Sequence, residues 1–201
     1  MVVGLVRWDD PNTYYSQTNN PTEEILRKED GEGFLVACGP TAVVNCLAAA
    51  GHKVTVECPG RYYPQPEEVL FDWFNDPRNY KMLEKIRKGI DPEDWFGNEI
   101  AQYYPAALLD VFGVPAHFEW GAKYKDVTKA IKNRRGVMLC LKNPGHFIAV
   151  VAYKELEQAL IYNDPWPGNP WPAKWRGKSG FNRSIAGPEL ENLKPYRIEI
   201  G

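Results

Sequence analysis

The sequence is organised around residues 37–51, ACGPTAVVNCLAAAG, a segment that predicts one helix with a cysteine at its start. Ala, Val and Leu fill its interior, as is typical of a largely buried helix. Pro40 suits the first helical turn, where the missing N–H costs nothing. Gly51 suits the position after the last turn, where the backbone takes a positive φ. The pattern therefore places Cys38 at the N-terminus of a buried helix.

Two interpretations of Cys38 follow from that position. The N-terminus of a helix carries N–H groups without helical partners and a partial positive charge, and both favour a thiolate over a thiol. The thiolate is the nucleophilic form of cysteine. The alternative is a small buried apolar residue, which is the common state of a cysteine outside a disulfide. The helix by itself leaves both interpretations open.

The overall composition is that of a globular protein without a strong charge bias. The chain has 201 residues and a formal net charge of −2, so no general attraction to nucleic acid or to an anionic membrane follows. No apolar run approaches the roughly 18 residues of a membrane span. The N-terminus does not resemble a signal peptide, so we expect a cytoplasmic protein or one released from cells, for example by lysis. Nothing fixes the oligomeric state, and a monomer is favoured.

The cysteines and histidines do not form a metal-binding pattern. No CxxC pair occurs, and three histidines are too few for an obvious structural zinc site, so no metal or organic cofactor is expected. We expect the cysteines to be reduced. The four cysteines are Cys38, Cys46, Cys58 and Cys140.

Helical patterns precede strand patterns along the chain, which predicts an α+β fold with an antiparallel sheet. Further helices are predicted at 66–75, 79–88, 98–112 and 124–131, the last closed by Gly136. Strands are predicted at 2–8, 116–120, 137–141, 146–153, 159–162 and 196–200, with a hairpin turn at 154–158. We expect a single domain over 1–201, with a helical middle at about 53–120 that resembles an insertion.

A nucleophilic thiol needs a base within hydrogen-bond reach, and the base needs a group that orients it. His146 is the best candidate base, because a polar ring at the start of a long apolar strand suits a cleft. Asp164 is the best orienting group: it follows the next strand, which a hairpin would bring alongside, and we expect it to accept a bond from His146 Nδ1–H. The alternatives are a structural histidine and a turn residue in an Asp-Pro pair.

Four other polar residues are secondary candidates. Asn163 is the rival of Asp164, since successive strand residues point to opposite faces. His52 follows the far end of the cysteine helix and is a poor base, whereas His117 stays open. Gln17, with the backbone N–H of Cys38, could bind an oxyanion, although a solvated loop glutamine is the simpler interpretation.

Taken together, these residues resemble the peptidase C39-like family of papain-type cysteine peptidases. The matching segments are Tyr15-Ser16-Gln17-Thr18-Asn19-Asn20, Cys38-Gly39-Pro40-Thr41, Gly145-His146-Phe147-Ile148-Ala149-Val150-Val151 and Asn163-Asp164-Pro165, in the order of the family. The cysteine and histidine segments are the more specific. The Trp- and Pro-rich segment at 165–175 departs from the family pattern.

The resemblance implies a papain-like fold in which the nucleophile helix packs on the sheet. It implies Cys38 as nucleophile, His146 as base, Asp164 as the orienting group and Gln17 as the oxyanion donor. The implied activity is hydrolysis of a peptide amide through a thioester, with a peptide or a peptidoglycan peptide from a phage or bacterial setting as the candidate substrate. Two alternatives stay open: a peptide-binding module without activity, and an acyltransferase that uses the same residues.

Overall fold

The computed structural model describes residues 1–19, 37–56, 63, 65–87, 95–141, 145–166 and 180–201, the side chains of 19, 87 and 95–100 aside. The helices are α1 Cys38–Ala50, α2 Glu68–Asn75, α3 Tyr80–Arg87, α4 Trp95–Phe112, α5 Tyr124–Lys132 and α6 Gly187–Asn192. The strands are β1 Val2–Gly4, β2 Ala116–Glu119, β3 Gly136–Leu141, β4 His146–Lys154, β5 Ala159–Asn163, β6 Arg183–Ala186 and β7 Tyr196–Ile200. Short 3₁₀ helices occupy Pro11–Thr13, Gln17–Asn19 and Pro77–Asn79.

The strands form one sheet in the order β2-β7-β3-β4-β5-β6, and β1 pairs with the end of β4. Every pairing in the described part of this sheet is antiparallel. The predicted α+β class is therefore confirmed. The predicted hairpin is also confirmed, because β4 and β5 pair directly, with Ala149 opposite Asn163.

Two apolar clusters form the core. The first joins α1 to α2, α4 and one set of β3 residues, which includes Met138 and Cys140. The second joins α5 to the alternate residues of β3, Val137 and Leu139 among them. Because successive strand residues point to opposite faces, the two clusters lie on the two sides of the sheet. All residues of α1 except Ala50 are buried.

The end of α5 differs from the prediction. Gly136 does not close this helix; it is the first residue of β3, and the residue with positive φ after the helix is Arg134, at 62°. Glycine is required at 136 for another reason. A Cβ atom there would lie 2.9 Å from Cβ of Cys46, so the absence of a side chain lets α1 approach β3 closely.

Among the strands and α-helices of the described residues, β6 and α6 escaped prediction, and β1 was predicted too long. Strand β6 and helix α6 are short, and neither carries a clear apolar period, so only pairing with β5 and packing against α5 define them. Strand β1 covers three residues instead of 2–8, since the chain turns after Gly4. Helix α4 begins three residues before the predicted start.

Some predictions fall outside the described residues: Asn20 of the family-like segment, Cys58, parts of the helical middle and most of the Trp- and Pro-rich segment. Among the described residues, no helix has the length and apolar character needed to cross a membrane. The same residues contain no group of three or more metal-ligating side chains placed to hold an ion.

Candidate active site

Cys38 is the first residue of α1, as predicted, and only 6% of its surface is exposed. Two aromatic residues pack closely against the backbone next to Cys38. A Cβ atom on Gly39 would lie 2.1 Å from the hydroxyl oxygen of Tyr104 and 3.4 Å from the ring of Phe147. The rings of Tyr104 and Phe147 pack edge to face, 5.9 Å between centroids. Helix α4 and the start of β4 therefore fix the N-terminus of α1.

Replacing Gly39 with Ala should force the start of α1 away from Tyr104. We expect a loss of stability of about 1–3 kcal/mol from overpacking, and slower alkylation of Cys38 because the adjacent backbone moves. Denaturant unfolding and thiol labelling measure the two effects. Tyr104→Phe removes the clashing oxygen and should restore much of the loss in the double variant. An unchanged unfolding midpoint in Gly39→Ala would contradict the close approach.

His146 lies beside both predicted partners. It is buried at the first residue of β4, directly after Gly145, whose φ of 75° favours glycine. Its Nε2 lies 2.7 Å from Oδ1 of Asp164. Cys38 lies close enough to the ring to raise the pKa of His146. One imidazole thus contacts a carboxylate and lies near a thiol.

The predicted ring nitrogen was wrong: Asp164 contacts Nε2, not Nδ1. The strand register explains the difference. Asn163 pairs with Ala149, so Asp164 comes next to Ile148, two residues along β4 from His146. The carboxylate is a diagonal neighbour of the histidine, and the far nitrogen of the ring spans that distance.

The surroundings of His146 favour its protonated form. Burial alone would lower its pKa, but the hydrogen bond to Asp164, followed by the hydrogen bond and charge of Cys38, outweighs burial and raises the pKa from 6.5 to about 10. The imidazolium is therefore the state that this site stabilises. A protonated imidazole beside a thiol is the arrangement in which cysteine reacts as a thiolate.

Asp164 is buried, and both its carboxylate and its backbone make hydrogen bonds. Its Oδ1 also accepts a bond from the backbone N–H of Trp166 at 2.9 Å, and its Oδ2 accepts one from Arg183 at 2.9 Å. Its backbone carbonyl accepts the hydroxyl of Tyr14, and its N–H donates to Gly180. The rival Asn163 is directed elsewhere, since its Oδ1 accepts the N–H of Asn182.

Gln17 is not a solvated loop residue, as the simpler interpretation held; it is fully buried. Its loop is held on two sides. The N–H of Gln17 donates to the carbonyl of Pro165, next to Asp164, and Asn45 of α1 exchanges two hydrogen bonds with the backbone of Tyr15. Both polar atoms of the Gln17 amide lack a hydrogen-bond partner among the described residues. A buried amide without partners is costly unless a ligand uses it.

The other histidines lie elsewhere. His52 is exposed after the far end of α1. His117, left open by the sequence, lies on β2 at the edge of the sheet, 3.5 Å from Glu199 and 3.7 Å from Glu119. Strands β7 and β3 separate β2 from β4, so His117 does not reach Cys38.

Sequence reasoning missed Arg183, whose guanidinium is buried against Asp164. No periodic signal marks this residue, because β6 is short.

The fold and the surroundings of His146 define a class: α+β proteins in which a buried histidine bonds a carboxylate and lies near a cysteine at the start of a buried helix. The sequence model of the Peptidase_C39 like family matches residues 11–183, a span that contains Gln17, Cys38, His146 and Asp164. The chain belongs to that family, as its resemblance implied. No curated protein matches the chain.

Proposed function

We propose that this protein is a cysteine peptidase with a papain-like arrangement of nucleophile helix and sheet. One observation carries the proposal: the buried His146 ring bonds the Asp164 carboxylate through Nε2 and lies close enough to Cys38 for the thiol to raise the pKa of His146. A nucleophile, its base and the orienting group of the base thereby lie together, which is the arrangement that covalent catalysis of acyl transfer needs. Membership of the Peptidase_C39 like family supports the same activity.

The reaction would begin with attack of the Cys38 thiolate on the carbonyl carbon of a peptide bond. The backbone N–H of Cys38 and the amide N–H of Gln17 would donate hydrogen bonds to the oxyanion of the tetrahedral intermediate. His146 would give its proton to the departing amine, which leaves a thioester on Cys38. His146 would then take a proton from water as the water oxygen attacks the thioester. This attack would release the acyl group as a carboxylic acid and free the Cys38 thiol.

Two features of the structure support the role of Gln17. Its amide is buried without a partner, as expected of a donor kept for a substrate oxygen. Its backbone is tied to Pro165 beside Asp164 and, through Tyr15, to α1. We propose peptides as the substrate class, with peptidoglycan peptides in the same screen.

Selective labelling tests the nucleophile. At about pH 6, iodoacetamide should modify Cys38 well ahead of Cys46 and Cys140, because only a thiolate reacts quickly. Burial raises the pKa of Cys46 far above its usual range, so this thiol should stay unreactive in the folded protein. Mass spectrometry of digested samples taken over time gives the rate at each site.

The matched control is the same labelling in denaturant, where all cysteines should react at similar rates. Cys58→Ser removes the thiol that lies outside the described residues. If the folded protein labelled Cys38 no faster than Cys140, the nucleophile would be misassigned.

A further inference from the structure

Arg183 is a buried cation that the proposed reaction does not use. Its Nη1 lies 2.9 Å from Oδ2 of Asp164, and the side chains of the two residues are 7% and 1% exposed. An ion pair this deep costs several kcal/mol in lost hydration for each partner. Hydrophobic pairs of similar size are often at least as stable, so stability alone does not account for an ion pair this deep.

The register of three strands explains how Asp164 comes to have two cationic neighbours. Arg183 pairs with Tyr162 across β5 and β6, and Asp164 is two residues beyond Tyr162, on the same face of β5. His146 is the diagonal neighbour of Asp164 on the other side, at the start of β4. The carboxylate therefore lies between two strand ends, with Oδ1 toward His146 and Oδ2 toward Arg183.

We propose that Arg183 is a positioning residue, which fixes the Asp164 carboxylate for His146 and sets the pH range over which the Cys38–His146 pair is ionised. The catalytic part of this role rests on the proposed function. Both oxygens of the carboxylate are held by charged partners on opposite sides, so rotation about its terminal bond would break at least one strong bond. Oδ1 of Asp164 is thereby held in a fixed position as the partner of His146 Nε2.

The charges of the buried group explain the effect on ionisation. With Arg183 present, the net charge of the group is zero when Cys38 and His146 form a thiolate and an imidazolium, because Asp164 and Arg183 also cancel. The net charge is again zero when the thiol and the imidazole are both neutral. Without Arg183, both states carry one uncompensated negative charge. A negative charge opposes loss of the proton from the thiol and favours retention of the proton on the imidazolium. Removal of Arg183 should therefore shift both ionisations to higher pH.

Three tyrosines among the described residues lie near Asp164 or Cys38, and they stay neutral. Burial, followed by the charge of Asp164, raises the pKa of Tyr14 to about 12. The same two causes raise the pKa of Tyr162 further. Burial, followed by the charge of Cys38, raises the pKa of Tyr104 well above its usual range. Arg183 is thus the permanent cation that balances Asp164.

The experiment compares Arg183→Met, which removes the charge, with Arg183→Lys, which keeps it. Arg135→Met is the matched control, since Arg135 pairs with Glu199 on β7, away from Cys38. Iodoacetamide labelling of Cys38 is followed from acid to alkaline pH. In the Cys38→Ala background, the His146 ring is titrated by NMR. In Arg183→Met, we expect both pH transitions of the labelling rate to move up by about one pH unit. The pKa of His146 should rise by the same amount. Arg183→Lys should recover most of the shift, and Arg135→Met should show none.

A purely structural role would change the unfolding midpoint without moving these profiles. Unchanged labelling and imidazole titrations in a folded Arg183→Met protein would therefore overturn the proposal. An equal shift in Arg183→Lys and Arg183→Met would do the same, because charge would then be irrelevant. The NMR titration reports on Arg183 even if Cys38 proves not to be a nucleophile, so failure of the proposed function is recognised separately.

Discussion

Replacing Cys38 with Ala should reduce peptide hydrolysis by about 10⁴-fold or more, because the acyl group would have no atom to which it could transfer. The fold should survive, since a sulfur atom is a small part of a core that fills both sides of the sheet. Cys38→Ser keeps the shape more closely and should be almost as inactive, because a hydroxyl beside an imidazolium remains protonated. Turnover of a fluorogenic peptide or a cell-wall fragment measures the rate.

Cys46→Ala is the matched control, since this thiol lies on the same helix and is also buried. It should keep full activity per folded molecule. The Cys38→Ala protein should still bind peptide, which equilibrium binding can measure. If a lytic or cellular effect of the protein persisted in Cys38→Ala, the protein would act as a binding module. If amine acceptors captured the acyl group faster than water, it would be an acyltransferase.

Removing the Asp164 carboxylate should damage both activity and stability. Arg183 would be left as a buried cation without its partner, which costs about 3–5 kcal/mol. The rate should also fall, because the pKa of His146 would drop once its anionic neighbour is gone, and the imidazolium would be less populated. Asp164→Asn should retain more activity than Asp164→Ala, since an amide oxygen can still accept a bond from the ring. Urea unfolding and pH–rate profiles separate the two effects.

The double variant Asp164→Asn with Arg183→Met provides the control. It removes both charges, so stability should recover toward that of the parent while activity stays low. Asn163→Ala should leave the pH–rate profile in place, because the Asn163 side chain faces the backbone of Asn182. If Asp164→Ala kept the pH–rate profile of the parent while Asn163→Ala lost it, the orienting residue would be misassigned.

The sequence by itself determined the order and type of most elements around the candidate site. Helix α1 is recognisable because its start, its interior and its end all carry local signals: Pro40, a run of small apolar residues, and Gly51 at a φ of 88°. Strands β3, β4 and β5 are recognisable as short apolar runs separated by turns. Since β4 and β5 are joined by a tight hairpin, the approach of Asp164 to His146 also follows from local information.

Tertiary structure decided the details that depend on neighbours distant in the chain. The choice of Nε2 over Nδ1 follows from the register of β4 and β5, which sequence periodicity does not specify to one residue. Gly136 appeared to end a helix, whereas its actual constraint is the close approach of Cys46 from α1. Gln17 lies in a polar segment typical of a loop, and its burial accompanies tertiary bonds from Asn45 and Pro165 that hold that loop in place.

Arg183 shows the same limit most clearly. A basic residue in a polar segment is by default exposed, because burial of an unpaired charge is too costly. The folding of β6 against β5 brings the guanidinium to the Asp164 carboxylate, which also contacts His146. Local sequence specifies helices, strands and tight turns because these depend on neighbours a few residues apart. The partners of a buried charge depend on strand pairing across long separations, and that is settled only when the sheet is assembled.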